Sequence, residues 1–351
     1  MGSEDGILAA VRGRAPARRL SVVSTPLSGG EGSFSDAVRQ GLGGEPKSLP
    51  CRFFYDTRGS MLFEEICRQP EYYPTRTEER ILAREAVRLV EAVAVPGGPD
   101  AALAELGSGS SRKTRLLIEE LLSRQMHLRY SPIDISASFL EESARALLER
   151  YPRLSVDAIA GEYCDALPHL SPHAGPRLLL VLGGNIGNFE EGEASALLAR
   201  AASALGEGGR LLVGFDRLKD PAFIERAYDD EAGVTEAFNK NLLLRINREL
   251  GGAFDPDAFA HAAPFVAGRS RIEMHLVSRC RQSVRVEALG RSFRFEAGET
   301  IHTENSHKYD VAGFERLCRG AGLHVLRLLS DPLEWFSVAL LGPDRPKETG
   351  V

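Results

Sequence analysis

Cysteine is scarce in this chain and follows no pairing pattern. Five residues (Cys51, Cys67, Cys164, Cys280 and Cys318) are scattered over 351, an odd number with no C-x-x-C. That spacing excludes a disulfide framework and speaks against a zinc site. Reduced thiols in a cytoplasmic protein are the simpler expectation. The eight histidines and the carboxylates show no metal-ligand spacing either. Long apolar runs are missing: stretches such as RLLLVLGG fall far short of the roughly 20 residues that span a bilayer. There is no excess of positive charge. Lys and Arg number 43 against 49 Asp and Glu, a net charge of -6 with the signs mixed, which gives no basic face for a nucleic acid. No repeat, low-complexity linker or charged-then-apolar signal pattern is visible. Residues 1–20, containing VRGRAPARR, are expected to form a flexible tail.

What is present is ordinary globular material, 43% apolar and 26% charged, enough for one large domain or two of usual size. The region after residue 95 alternates between two rhythms. AALAEL, LRYSPIDIS, LSVDAIAGEY, RLLLVLGGNIGN and GGRLLVGFD read as strands; TRLLIEELLSR, SFLEESARALLERY and EASALLARAASAL between them read as helices. Strand–helix alternation predicts right-handed crossovers and a mostly parallel sheet covered on both faces. The continuous apolar strand at 177–182 suits a doubly covered centre. After residue 217 a helical stretch and antiparallel strands interrupt the alternation, which DVAGFERLCRGAGL, HVLRLLS and EWFSVALL then close. The expected fold is therefore α/β and doubly wound, with a core of 96–216 and 309–351. A second lobe is expected from the N-terminal segment, 21–95, and an insertion, 217–308. Thr75 and Glu78, just after Pro74, fit a helix capping box.

In such a sheet, ligands bind beyond the carboxyl ends of the strands. ELGSGSSRKT ends the first. Gly107 and Gly109 permit a tight turn and close approach of a ligand. Asp134 ends the second strand, where a carboxylate accepts from ribose hydroxyls. Lys113 stands near the position of the third glycine of a dinucleotide fingerprint and reads equally as a solvated helix residue. Glu162 and Tyr163 end the third strand, suited to an adenine edge and face or to an ordinary polar turn. Asn188 in GGNIGN ends the fourth. The closing helix–strand–strand resembles that of class I methyltransferases.

From about residue 50 to 342 the chain resembles the histidine Nα-methyltransferases of ergothioneine biosynthesis, which depend on S-adenosylmethionine. The strings FFYDTRGSMLFEEICRQPEYYPTRTE, ELGSGSSRKT, PIDIS, IGN, RAYDDEAGVTEAFNKN, RIEMHL and TENSHKY, in that order, carry the resemblance. It implies a cofactor site at Gly107, Lys113, Asp134, Glu162 and Tyr163. It implies a substrate site at Tyr72, Asn188, Tyr228, Met274, Glu304 and Ser306, lined by Tyr55 and Phe63, with Tyr55 and Tyr72 as catalytic candidates. Two departures stand out: Glu-Tyr replaces the family's usual Asp-Phe at 162–163, and Gly-Asn replaces the frequent Ser-Thr before IGN.

The residue chemistry agrees. Glu304 and Ser306 alternate, so an extended strand aims both at one face. A carboxylate accepting from an imidazole N–H beside a hydroxyl is a compact imidazole reader. Tyr228 and Asn188 are neutral donors for a carboxylate. The implied reaction is trimethylation of the α-amine of L-histidine to hercynine, with no metal, nucleic acid or membrane partner. The rivals are another amino acid such as tryptophan, a nicotinamide-dependent oxidoreductase, or an inert adenosylmethionine-binding protein.

Overall fold

The computed structural model describes residues 19–25 and 33–343. Its core is an eight-stranded sheet. The strands run in the order Leu20–Ser24, Leu154–Ala160, Leu128–Asp134, Ala102–Leu106, Arg177–Val181, Arg210–Asp216, Phe336–Pro343, Leu323–Ser330. The first six are parallel; Phe336–Pro343 runs against both its neighbours. Alternate residues of each strand face opposite sides. Leu103, Tyr130, Val156 and Leu180 pack under the helices Tyr73–Glu91, Arg115–Arg124 and Ala137–Arg150. Leu106, Ile133, Val181 and Val213 pack under Glu191–Ser203 and Val311–Gly320. Burial on both faces is why the central strands read as nearly unbroken apolar runs. The register sets the strand ends level: Leu106 pairs with Ile133 and with Val181, and Asp134 with Ala160. The turns that follow therefore converge at one edge.

A second sheet joins segments far apart in the sequence. Lys47–Ser48 lies parallel to Thr300–His307, which pairs antiparallel with Arg271–Ser278; Phe259–Ala262 and Phe265–Val266 complete it. The helices Thr57–Ile66, Pro221–Tyr228 and Val234–Leu250 contribute to its separate apolar core. Phe54, Phe238, Leu242, Phe259, Ile272, Phe295 and Ile301 meet there. Each such side chain contributes roughly 1.5–3 kcal/mol on burial.

Three expectations need correction. First, the tail assigned to 1–20 does not include its last two residues, while residues 1–18 lie outside the described residues. The Arg19 guanidinium donates to the carbonyls of Leu148, Tyr151 and Leu154, and Leu20 begins a strand parallel to Leu154–Ala160. Residues 20–24 thus extend the core sheet rather than the second lobe. Second, most of Tyr73–Glu91 belongs with the core, because Ile81, Leu82, Leu89 and Val90 pack on the sheet; the boundary at 95 cuts past this helix. Third, the capping box does not form. The helix begins at Tyr73 with no side-chain cap. Thr75 donates to the Cys67 sulfur at 3.2 Å, while Glu78 accepts from Gly183 N at 3.0 and 2.9 Å. A backbone donor from another strand end outcompetes the local pattern. Within the described residues, the last core strand closes at Pro343.

Candidate active site

The glycine turn after Ala102–Leu106 is built to be approached. Gly107 has φ +72°, and a Cβ there would sit 2.4 Å from the Tyr163 hydroxyl and 2.6 Å from Asn185 Nδ2. Only glycine satisfies both conditions. Gly107 N and Ser108 N both donate to Ile133 O, at 2.8 and 3.1 Å. Asp134 fastens the far side, accepting from Gly109 N at 2.9 Å and Ser136 N at 3.0 Å. Burial pushes its carboxyl up, against the opposing pull of those N–H groups.

Behind the turn lies a buried polar frame. Glu105 accepts from Thr114 Oγ1 and from the Tyr130 hydroxyl, both at 2.6 Å, and burial raises its carboxyl to about 7. Lys113 pairs with the fully buried Glu78. Burial lowers the Lys113 ammonium and Glu78 more than restores it, so the amine stays charged. Glu162 meets Arg52 Nε at 3.1 Å, tying the Cys51–Phe54 turn of the N-terminal segment to the end of the third strand.

The glycine turn with Glu105, Lys113, Thr114, Arg52 and Glu162 lines one cavity of about 470 Å³, within the range of roughly 300–1,000 Å³ that small-molecule sites occupy. Gly107, Lys113, Asp134, Glu162 and Tyr163 all reach it, as do Tyr55, Phe63, Asn188 and Glu304. A second chamber of about 20 Å³ adjoins it, bounded by Tyr55, Phe63, Tyr72, Asn188, Tyr228, Glu304 and Ser306 among others. Aromatic rings pave it edge to face: Tyr55 on Phe63 at 5.7 Å, Phe63 on Tyr72 at 6.2 Å, Tyr72 on Tyr228 at 6.1 Å. The Asn185–Asn188 turn is drawn against the strand Thr300–His307, where a Cβ on Gly187 would lie 2.8 Å from His307 O. Burial holds the Glu304 carboxyl up at about 7, with Lys308 pulling the other way.

Met274 is placed differently from the other residues the resemblance implies. It stands opposite Glu304 in the strand register, but it lines neither chamber. It packs at 1% exposure in the apolar core of the second sheet.

Four participants escaped the sequence reading: Asp216, Lys308, Lys219 and Tyr73. The Asp216 carboxylate accepts from the Tyr73 hydroxyl at 2.8 and 2.9 Å and from Lys219 at 2.6 Å. It also pairs with Lys308 at 2.9 Å. The signal for Lys308 was present: it stands two residues beyond Ser306 in TENSHKY, on the same face of an extended strand.

An open parallel sheet closed by an antiparallel hairpin, with a ligand cavity at the carboxyl ends of its strands, makes this a class I methyltransferase-like protein. Residues 34–343 match the family described as histidine-specific methyltransferase, SAM-dependent, and the chain belongs to that family. It is 42% identical over 303 residues to a histidine N-alpha-methyltransferase of Mycolicibacterium smegmatis, covering 86% of this chain and 92% of the relative. It is 29% identical over 303 residues to ergothioneine biosynthesis protein 1 of Neurospora crassa, covering 80% of this chain and 33% of that one. A 4-dimethylallyltryptophan N-methyltransferase of Penicillium roqueforti is 28% identical over 318 residues, covering 87% and 90%. The cofactor of the family is S-adenosylmethionine. The residues present fit it: a glycine cradle that a Cβ would fill, Asp134 at the second strand end, and a buried Ser108 hydroxyl on the cavity wall with no protein partner. Among the described residues, no helix is long and apolar enough to cross a membrane, and no cluster of three or more His, Cys, Asp or Glu is arranged for a metal.

Proposed function

We propose that this protein methylates the α-amine of L-histidine three times, giving hercynine for ergothioneine biosynthesis in the cytoplasm. The observation that supports this reading is that Glu304, Asn188, Tyr55 and Phe63 line the large cavity and also bound the small recess that opens beside it, where Ser306 and Tyr72 stand. S-adenosylmethionine, when bound, supplies an electrophilic methyl group. Asp134 would hold its ribose hydroxyls, Glu162 and Tyr163 its adenine, and Lys113 its carboxylate. These groups all come from residues 96–216, the core that 309–343 completes. The N-terminal segment and 217–308 supply most of the groups facing the amino acid.

The protein's task is alignment, because no covalent nucleophile is needed and positioning alone accounts for several kcal/mol in well-oriented reactions. Glu304 accepts from one imidazole N–H, and Asn188 and Tyr72 donate to the substrate carboxylate. Burial pushes the hydroxyls of Tyr55 and Tyr72 well above their ordinary range. Neither is a resident base at neutral pH; each can pass on a proton only by exchanging its own. The amine therefore enters as the free base, or loses its proton along such a relay. As methyl groups accumulate, the fixed positive charge faces the aromatic paving of Tyr55, Phe63 and Tyr72, which attracts it through the ring quadrupoles.

The test is incubation with S-adenosylmethionine and each free amino acid in turn, with mass detection of methylated products. Histidine is expected to give mono-, di- and trimethyl forms. Turnover of tryptophan in preference to histidine would replace the substrate assignment.

A further inference from the structure

Lys308 is the most deeply placed cation of the site, its side chain 0% exposed. Its ammonium has three N–H donors, and each is directed at a named oxygen. One goes to Asp216 Oδ2 at 2.9 Å, one to the Tyr228 hydroxyl and one to Ser306 Oγ, both at 2.8 Å. The two hydroxyl oxygens also lie 2.7 Å from each other. Asp216 is in turn held by Tyr73 and Lys219, so the carboxylate that the ammonium faces is itself fixed in place. Burial opposes charge on Lys308, but Asp216 and Tyr228 together more than offset it.

Counting protons fixes what this arrangement offers a ligand. Tyr228 and Ser306 each accept from Lys308, and together they own two O–H protons. One proton is consumed by the bond between them, so a single O–H remains to face the chamber. A phenol is the better donor and a serine oxygen the better acceptor, which assigns the shared proton to Tyr228. Ser306 then accepts twice, from Lys308 and from Tyr228. Both its lone pairs are occupied, and it can only donate.

We infer that Lys308 is a positioning residue for substrate specificity: it converts Ser306 into an obligate hydrogen-bond donor that reads the unprotonated nitrogen of a neutral imidazole. This rests on the histidine reading above. Glu304 accepts from the ring N–H and Ser306 donates to the ring lone pair, so the pair together demands one of each. An imidazolium, with two N–H groups and no lone pair, would face a donor it cannot satisfy. A ring with no nitrogen would leave both groups unpaired, and discrimination of that kind is strong. The same count takes the Tyr228 proton away from the substrate carboxylate and leaves that end to Asn188 and Tyr72.

The experiment compares L-histidine with 3-(2-thienyl)-L-alanine, a five-membered ring without nitrogen. Binding is measured calorimetrically with S-adenosylhomocysteine present so that no turnover occurs. In Lys308→Met, Ser306 regains freedom to turn its proton elsewhere. Histidine affinity is expected to fall at least tenfold, thienylalanine affinity to change less than twofold, and S-adenosylhomocysteine affinity to stay within twofold. An unchanged preference between the two amino acids, or equal weakening of both, overturns the role. If the methionine variant does not bind S-adenosylhomocysteine, Lys308→Gln is measured against the same limits. Loss of that binding in both variants would make Lys308 a folding element and end the proposal. A wild-type protein that binds histidine no better than thienylalanine defeats the histidine reading itself, before Lys308 is altered.

Discussion

Replacing Glu304 with glutamine should move stability and substrate binding in opposite directions. The carboxyl is buried at 9% exposure, and burial raises it from 4.5 to about 7. With 1.36 kcal/mol for each pKa unit, keeping it ionised in the folded protein costs roughly 3 kcal/mol. The sign follows from linkage. The folded pKa lies above the unfolded one, so the stability associated with the neutral acid is fully present below about 4.5 and is lost as the pH rises through about 7. Glutamine does not titrate. The stability of Glu304→Gln relative to wild type should therefore increase by up to roughly 3 kcal/mol between pH 4.5 and pH 8. Histidine binding at pH 8 should weaken, because a neutral amide replaces a charged acceptor; hydrogen bonds to charged groups are worth about 1.5–3 kcal/mol. Denaturant unfolding of the ligand-free protein at several pH values, beside calorimetric titration with histidine, measures both. A stability difference that stays constant across this pH range would refute the burial argument, and unchanged histidine affinity would refute the contact.

Asp134→Ala should weaken S-adenosylmethionine binding by about 1.5–3 kcal/mol, measured by calorimetry, with the fold retained; unchanged affinity would remove Asp134 from the cofactor site. Gly107→Ala should abolish cofactor binding, because its Cβ would lie 2.4 Å from the Tyr163 hydroxyl at a backbone angle of +72°; equilibrium dialysis with labelled cofactor checks this, and wild-type affinity would mean the turn can shift. Single-turnover methylation of histidine should speed up from pH 6 to pH 8, as Glu304 ionises at about 7 and the amine loses its proton. In Glu304→Gln the part of that rise due to Glu304 should vanish, so wild-type and variant profiles of identical shape would exclude Glu304 as its source.

The parallel core was legible because both faces of its central strands are covered, which writes apolar residues at nearly every position of 177–182. The edge strand Leu20–Ser24 was not, because Val22 and Val23 are 41% and 45% exposed and it is held by backbone pairing and polar contacts such as Ser21 with Asp157, which leave no apolar pattern. Lys47–Ser48 is too short to carry a pattern, although it joins the N-terminal segment to the inserted sheet. Glu78 shows how a local rule can be satisfied on paper and overruled in space: T-x-x-E is a valid capping box, but Gly183 N and Lys113 needed the carboxylate more. Tyr55, Asn188, Glu304 and the glycine turn could be singled out because motifs carried them. Asp216 and Lys219 had no such signal, since their partners Tyr73 and Lys308 lie 143 and 92 positions from Asp216.

Asp216 also explains why the two sheets meet where they do. It ends the strand Arg210–Asp216 and accepts from groups on both sides of the junction: Tyr73 at the head of a core helix, Lys219 just beyond the strand, and Lys308 at the end of the second sheet. A buried ion pair is weak evidence for stability, since apolar replacements of similar volume are often neutral or better. Stability alone therefore does not account for this cluster. What apolar side chains could not supply is orientation: three ammonium protons pointed at three fixed oxygens, two of which belong to hydroxyls at the wall of the smaller chamber. On the role proposed for Lys308, that orientation is what a site would require to tell a histidine ring from other rings of the same size.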